Sequence, residues 1–135
     1  IVLLKIGTHR YMHIIRNYQS ADLNQLTELF EAYREFYKMN SDKEAAKVFL
    51  SERMKNNESI IFVAVGENSE LTGFVQLYPI FSSTRMKRLW LLNDLFVSKS
   101  FRGMGLSKAL LSAAQKLCME TDACGLILET AKTNT

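Results

Sequence analysis

Cysteine occurs only twice, as Cys118 and Cys124, and proline once, at position 79, in a chain of 135 residues. Two cysteines are too few for a disulfide framework and suit a reducing compartment, so a cytoplasmic location is expected. No apolar run approaches the ~18–20 residues that cross a bilayer, and no membrane partner is expected. A basic stripe is also missing. Lys and Arg (17) are scattered among Asp and Glu (14), for a net charge of +3, which argues against nucleic acid as a partner. That mild charge still favours approach of a phosphorylated ligand. Internal repeats, low-complexity tracts and metal-ligand clusters are absent. His9 and His13 stand four apart with no cysteine or carboxylate partner nearby, so they read as leader and strand residues, and no metal is expected. What remains is 47% apolar and 23% charged, the make-up of a globular protein rather than of collagen or a disordered tail. The length suits one domain that buries roughly 65–70% of its extended surface.

Residues 1–11 precede a cleaner pattern that opens at Met12; they read as an added leader, with the domain running from 12 to 135. Ile14, Ile15 and Arg16 alternate as a short strand. Ser20 or Asp22 can cap a helix whose Leu23, Leu26, Phe30, Tyr33 and Tyr37 form one apolar and aromatic stripe. Asn40-Ser41-Asp42 breaks it and caps a second helix over Lys43 to Lys55, buried through Ala46, Phe49, Leu50 and Met54. The period then changes. Ile60 to Val65 is a dense β-branched run, Leu71 to Ile80 its partner with Pro79 near the end, and Arg85 to Val97 a third long strand. Short polar turns between them predict an antiparallel meander. Leu106, Leu110, Ala113 and Leu117 mark a helix of about five turns, and Leu126 to Thr130 a last strand. The order is βααβββαβ, one mixed sheet with helices over both faces. Trp90 reads as an anchor on the sheet, and both cysteines as packing residues.

Chemistry concentrates where the third meander strand meets the long helix. Arg102-Gly103-Met104-Gly105-Leu106-Ser107-Lys108 is a Gly-x-Gly turn opening a helix, which leaves backbone N–H groups unpaired and pointing one way. With the helix dipole they form an anion site suited to a pyrophosphate. Glycine at 103 and 105 lets the backbone approach it closely, and Arg102 and Lys108 flank the turn. A dinucleotide fold would want a third glycine where Lys108 stands and a parallel βαβ unit around it, and neither is present.

This stretch resembles the signature of the GNAT superfamily of N-acetyltransferases: a hydrophobic strand, Arg/Gln-x-x-Gly-x-Gly/Ala, then an amphipathic helix, with Ser107 in place of the last small residue. The βααβββαβ order matches from Met12 onward, and the resemblance implies a GNAT-like, mostly antiparallel sheet flanked by helices on both faces. It implies acetyl-coenzyme A as acetyl donor, its pyrophosphate on the amides of Arg102, Gly103, Met104, Gly105, Leu106, Ser107 and Lys108. Its pantetheine arm would run beside Leu95, Phe96 and Val97, with the Leu95 amide polarising the thioester carbonyl, and Asn134 would contact the arm. A primary amine attacks the thioester after losing its proton. Asp94 and Asn93, where the strand would open, are the candidates to hold or deprotonate it, and an Asp94 pairing with Arg85 or Arg88 is the purely structural alternative. Tyr33, Arg34 and Tyr37 lie on the helix that covers the acceptor site in this family, and Glu129 is a further candidate.

Family members continue past the asparagine into another helix and two strands, so the domain reads as C-terminally incomplete. The expected function is N-acetylation of a polyamine, aminoglycoside, amino acid or peptide amine; the alternative is a non-catalytic module that binds coenzyme A or a partner. An open strand at Leu126 to Thr130 predicts a homo-oligomer formed through that end, unless residues 1–11 fold back over it.

Overall fold

The computed structural model describes the backbone of residues 2–6 and 9–128 and the side chains of 12–128. Two β-branched residues followed by Arg16 belong to a strand longer than its alternation predicts. This strand, β2 (His9–Asn17), is preceded by β1 (Val2–Ile6), and the two form an antiparallel hairpin with Val2 opposite His13. Helices α1 (Leu23–Phe36) and α2 (Lys43–Lys55) follow. The meander is β3 (Ile60–Val65), β4 (Leu71–Ser82) and β5 (Lys87–Val97). Helix α3 (Leu106–Glu120) then leads to β6 (Gly125–Leu128). The strands lie in one sheet in chain order. All pairs are antiparallel except β5–β6, which the α3 crossover makes parallel. The expected order thus holds from β2 onward, with a hairpin strand added before it. That strand occupies the edge opposite β6, so it does not cover the β6 end.

Helices α1 and α2 pack on one face. Leu26, Leu29, Phe30 and Leu50 meet Ile61, Val63, Phe74 and Phe96 there. On the other face Leu106, Leu110 and Ala114 of α3 meet Val75, Leu77, Trp90, Leu92 and Val97. The inward residue of the third α3 turn is Ala114, not the expected Ala113, because the stripe steps by four from Leu106 to Leu110 to Ala114. Trp90 is an anchor as expected, and its Nε1 donates to Thr121 Oγ1 at 2.9 Å. Cys118 and Cys124 are free thiols, half-buried, and burial pushes the Cys118 thiol up.

Several boundaries move for physical reasons. The Asp22 carboxylate does not cap α1; it turns back to accept from the Gln19 amide (2.7 Å) and from both Arg16 nitrogens (2.7 and 2.9 Å). Asp42 does cap α2, accepting from the Ala45 amide at 3.1 Å. Strand β4 continues past Pro79 to Ser82. Beyond Leu77 its described sheet neighbour is β5 alone, the edge setting in which a proline is tolerated. Strand β5 begins at Lys87 rather than Arg85, since residues 83–86 form the turn and Met86 has a φ of 54°.

One irregularity positions everything that follows. Gln76 pairs with Asp94, but Leu77 pairs with Leu92, so Asn93 is an extra residue in β5. A single inserted residue reverses the facing of a strand. Trp90 and Leu92 therefore point to α3, whereas Phe96, also even-numbered, points to α1.

Candidate active site

The bulge brings Asp94 onto the α1 side, where its carboxylate is buried. Gln76 Nε2 donates to its Oδ2 at 2.8 Å and Asn93 Nδ2 to its Oδ1 at 3.1 Å. Two amide donors, one on each oxygen, match a charged carboxylate, which only accepts. Neither Arg85 nor Arg88 is its partner; the Arg88 guanidinium lies over the Phe81 and Trp90 rings, 5.1 and 5.2 Å from their centres. Tyr33 reaches Asp94 from α1. Its phenol is raised well above the ordinary range by burial and then by the Asp94 charge. Tyr78 on β4 is pushed up to about 12 by burial and the same charge, against the opposing pull of Arg53. Both phenols keep their protons at neutral pH and can only donate toward the carboxylate.

An aromatic wall surrounds this group. The Tyr33 ring stands edge-on to Phe96 (5.9 Å), Phe74 (5.7 Å) and Tyr37 (5.2 Å). Tyr37 falls just past the end of α1 and is exposed. Arg34 is not directed at Asp94: its guanidinium donates to Glu31 (2.9 Å) and to the Asn40 carbonyl (2.8 Å), closing the α1–α2 corner.

The edge of β5 changes character at the same point. Within the described residues, strand β6 pairs with β5 from Leu89 to Leu92. Among the described residues, Asn93 to Val97 therefore have β4 on one side and no strand on the other. Past Val97 comes a 3-10 turn (Lys99–Phe101) and then the glycine loop. Gly103 and Gly105 have φ of 78° and 84°, a left-handed geometry that other residues adopt at a cost. A Cβ at Gly103 would meet nothing within 4 Å. Gly105 is the N-cap of α3 and offers no side chain to its amides, and no acidic residue sits in the first turn. The free N–H groups and the positive end of the dipole are thus left for an anion. Met104 and Leu106 bury their side chains, so they offer backbone only, while Ser107 and Lys108 are exposed.

Arg102 flanks the turn and is exposed, and its side chain makes contacts of its own. Its Nε donates to the Val97 carbonyl at 2.9 Å, and its guanidinium lies 5.3 Å from the Phe96 ring centre and 5.5 Å from that of Phe36. From beside the loop it clasps the end of β5 to α1. Glu129 and Asn134 lie outside the described residues. Sequence reasoning missed Gln76, Ser59 and Tyr78; the available signal was a lone amide, Gln76, inside the apolar run Gly73 to Ile80.

Comparison with known proteins bears on this arrangement. Residues 24–135 match the family model described as the acetyltransferase (GNAT) family. The chain is 45% identical over 120 residues, 89% of its length and 80% of the relative's, to the uncharacterized N-acetyltransferase YhfO of Bacillus subtilis (strain 168). It superposes with a TM-score of 0.86 on the crystal structure of a probable acetyltransferase, 38% identical, covering 90% of this chain and 81% of that one. An aminoglycoside N-acetyltransferase, AAC(6')-Iy, solved with CoA, shares the fold at a TM-score of 0.78 and 18% identity, covering 96% of this chain and 84% of that one.

Proposed function

Because the chain belongs to the acetyltransferase (GNAT) family and is an N-acetyltransferase, we propose that it moves an acetyl group from acetyl-coenzyme A to the primary amine of a small molecule or peptide. The observation that carries this reading is one continuous path. The glycine loop that can seat a pyrophosphate leads along the edge of Leu95, Phe96 and Val97, which no strand among the described residues covers, and ends at buried Asp94. That family generally uses acetyl-coenzyme A, and the residues here suit it. The loop has room at Gly103, amides without partners among the described residues and Lys108 beside them, and the edge of β5 that no described strand covers offers backbone groups to an amide-bearing arm.

The donor supplies a thioester. The amine nitrogen bonds to the acetyl carbon, the C–S bond breaks, and coenzyme A leaves as its thiolate. A thiol with a pKa near ~8.5 leaves without obligatory protonation. The Leu95 amide, at the opening, is the donor aimed at the carbonyl oxygen as negative charge develops on it. An ammonium has no lone pair, so the acceptor must first give up its proton. Asp94 is the group that holds that ammonium and takes its proton, directly or through water. Asn93, on the bulge, keeps the carboxylate turned. Tyr33, Tyr37 and Phe96 form the aromatic wall against which a cationic amine is stabilised.

The test is release of free thiol from acetyl-coenzyme A across a diamine, an amino acid, an aminoglycoside and a peptide amino terminus. Asp94→Asn should lower kcat/KM by roughly 100-fold or more, with calorimetric affinity for coenzyme A unchanged. Binding of coenzyme A with no turnover of any amine would refute the enzymatic assignment.

A further inference from the structure

The face of the sheet beneath α1 is apolar through Ile61, Val63, Phe74 and Phe96. Across its middle, however, runs a line of three buried polar side chains. Ser59 Oγ donates to Gln76 Oε1 at 2.8 Å, and Gln76 Nε2 donates to Asp94 Oδ2 at 2.8 Å. Gln76 is fully buried, and Ser59 and Asp94 are nearly so. The line spans three neighbouring strands: Ser59 immediately precedes β3, Gln76 lies on β4 and Asp94 on β5.

Its polarity is forced. A carboxylate can only accept, so the Gln76 amide must present its NH2 to Asp94 and its carbonyl to Ser59, and the Ser59 hydroxyl must then donate. Reversing the amide would set a carbonyl against a carboxylate and leave the hydroxyl without its acceptor. Burial of such groups costs free energy unless all are paired, and a well-packed apolar residue at 76 would fill the space without that cost. Packing alone does not call for an amide here. Asp94, by contrast, needs one. The bulge at Asn93 turns it onto this otherwise apolar face, and Gln76 is its cross-strand partner.

We propose that Gln76, oriented by Ser59, is a positioning residue for the acetyl transfer. It holds the Asp94 carboxylate in one rotamer through Oδ2, while Asn93 engages Oδ1, so that the lone pair left on each oxygen faces the acceptor amine. The inference rests on the role given to Asp94 above, and extends it to two residues that touch neither donor nor acceptor.

Three variants, Gln76→Leu, Ser59→Ala and Ser59→Thr, test it in the thiol-release assay with the best acceptor of the amine panel, beside Asp94→Asn. Gln76→Leu should lower kcat/KM by roughly 10–100-fold, the scale of a misplaced catalytic group. Affinity for coenzyme A should not change. Ser59→Ala should give a smaller loss in the same direction, and Ser59→Thr, which keeps the hydroxyl, should restore activity. A readout that needs no acceptor is the carboxyl resonance of Asp94 in protein labelled with 13C-aspartate, which should shift in both Gln76→Leu and Ser59→Ala. A folded Gln76→Leu protein with wild-type kcat/KM, beside an inactive Asp94→Asn, would overturn the positioning role and leave the role of Asp94 standing. Full activity of Asp94→Asn would remove that role itself. If Gln76→Leu does not fold, equal activity and equal resonances in Ser59→Ala and wild type overturn the proposal.

Discussion

Replacing Gly103 with alanine separates two consequences that usually travel together. Its φ of 78° lies in the left-handed region, and a Cβ built there meets nothing within 4 Å. No atom has to move, so the cost to the ligand-free protein is conformational alone, roughly 1–2 kcal/mol. Spread over the unfolding entropy of a 135-residue chain, that loss lowers Tm by about 4–7 °C. The empty space is also where the proposed pyrophosphate must approach the loop. A methyl group in it should weaken coenzyme A binding by tenfold or more, about 1.4 kcal/mol per factor of ten. Calorimetry with coenzyme A and a thermal melt of the same preparation read the two effects. Gly66→Ala is the control: the added Cβ meets chiefly the side chain of Glu70, which can swing aside, and it lies in the β3–β4 turn. Its affinity for coenzyme A should equal that of wild type. A Gly103→Ala protein that melts lower yet binds coenzyme A with wild-type affinity would show that the loop does not cradle the phosphates.

Gly105→Glu should abolish coenzyme A binding in a titration, because it adds a charge of the wrong sign at the N-cap of α3. Arg102→Lys should lose Tm nearly as Arg102→Ala does, since a lysine keeps the charge but not the planar contact with Phe36 and Phe96; full restoration by lysine would mean that charge alone matters there. The Arg16 guanidinium, helped by the Gln19 amide, holds the Asp22 carboxyl below its ordinary value against the effect of burial. The folded pKa being the lower one, this stabilisation is present above ~3.9, the unfolded value, and lost as pH falls through the folded value. Arg16→Leu should therefore melt lower than wild type at pH 7, and the gap should close in acid; a gap independent of pH would exclude the pair as its cause. Light scattering at micromolar concentration should show a dimer or larger assembly joined through the β6 end, where Ile127 and Leu128 are exposed, and a clean monomer would reject that mode.

What the residues disclose about the fold and what they conceal have separate physical causes. The meander and α3 were legible because dense β-branched runs and a step of three or four residues are local signals. The glycine turn was legible because its geometry demands glycine. The facing of Asp94 was not. It depends on where the register slips by one residue, and that follows from the packing of Trp90, Leu92 and Phe96 on two different helices rather than from any property of Asn93 itself. The side-chain contacts of Arg102 were hidden for a related reason. Beside a phosphate loop its charge suggests a ligand contact, but Val97, Phe96 and Phe36 converge on it from distant parts of the chain. Arg34 is likewise occupied by Glu31 and the Asn40 carbonyl. Gln76 was visible as an odd letter in an apolar run, yet its two partners lie 17 and 18 residues away, beyond the reach of periodicity.

The fork between β5 and β6 also acts as a ruler. The last pair among the described residues is Leu92 with Leu128, and from Asn93 to Val97 the backbone advances about 13 Å, at roughly 3.3 Å per residue. One end of that interval leads to the glycine loop and the other stops at Asp94. In the proposed reaction, a donor anchored by its phosphates is thereby measured against a fixed length of strand, and only an arm of matching reach brings its acyl carbon level with the carboxylate. Lengthening the interval by two residues would preserve which face every side chain occupies. It would nevertheless displace anchor and carboxylate by about 7 Å, enough for the reaction to miss while the fold stays intact.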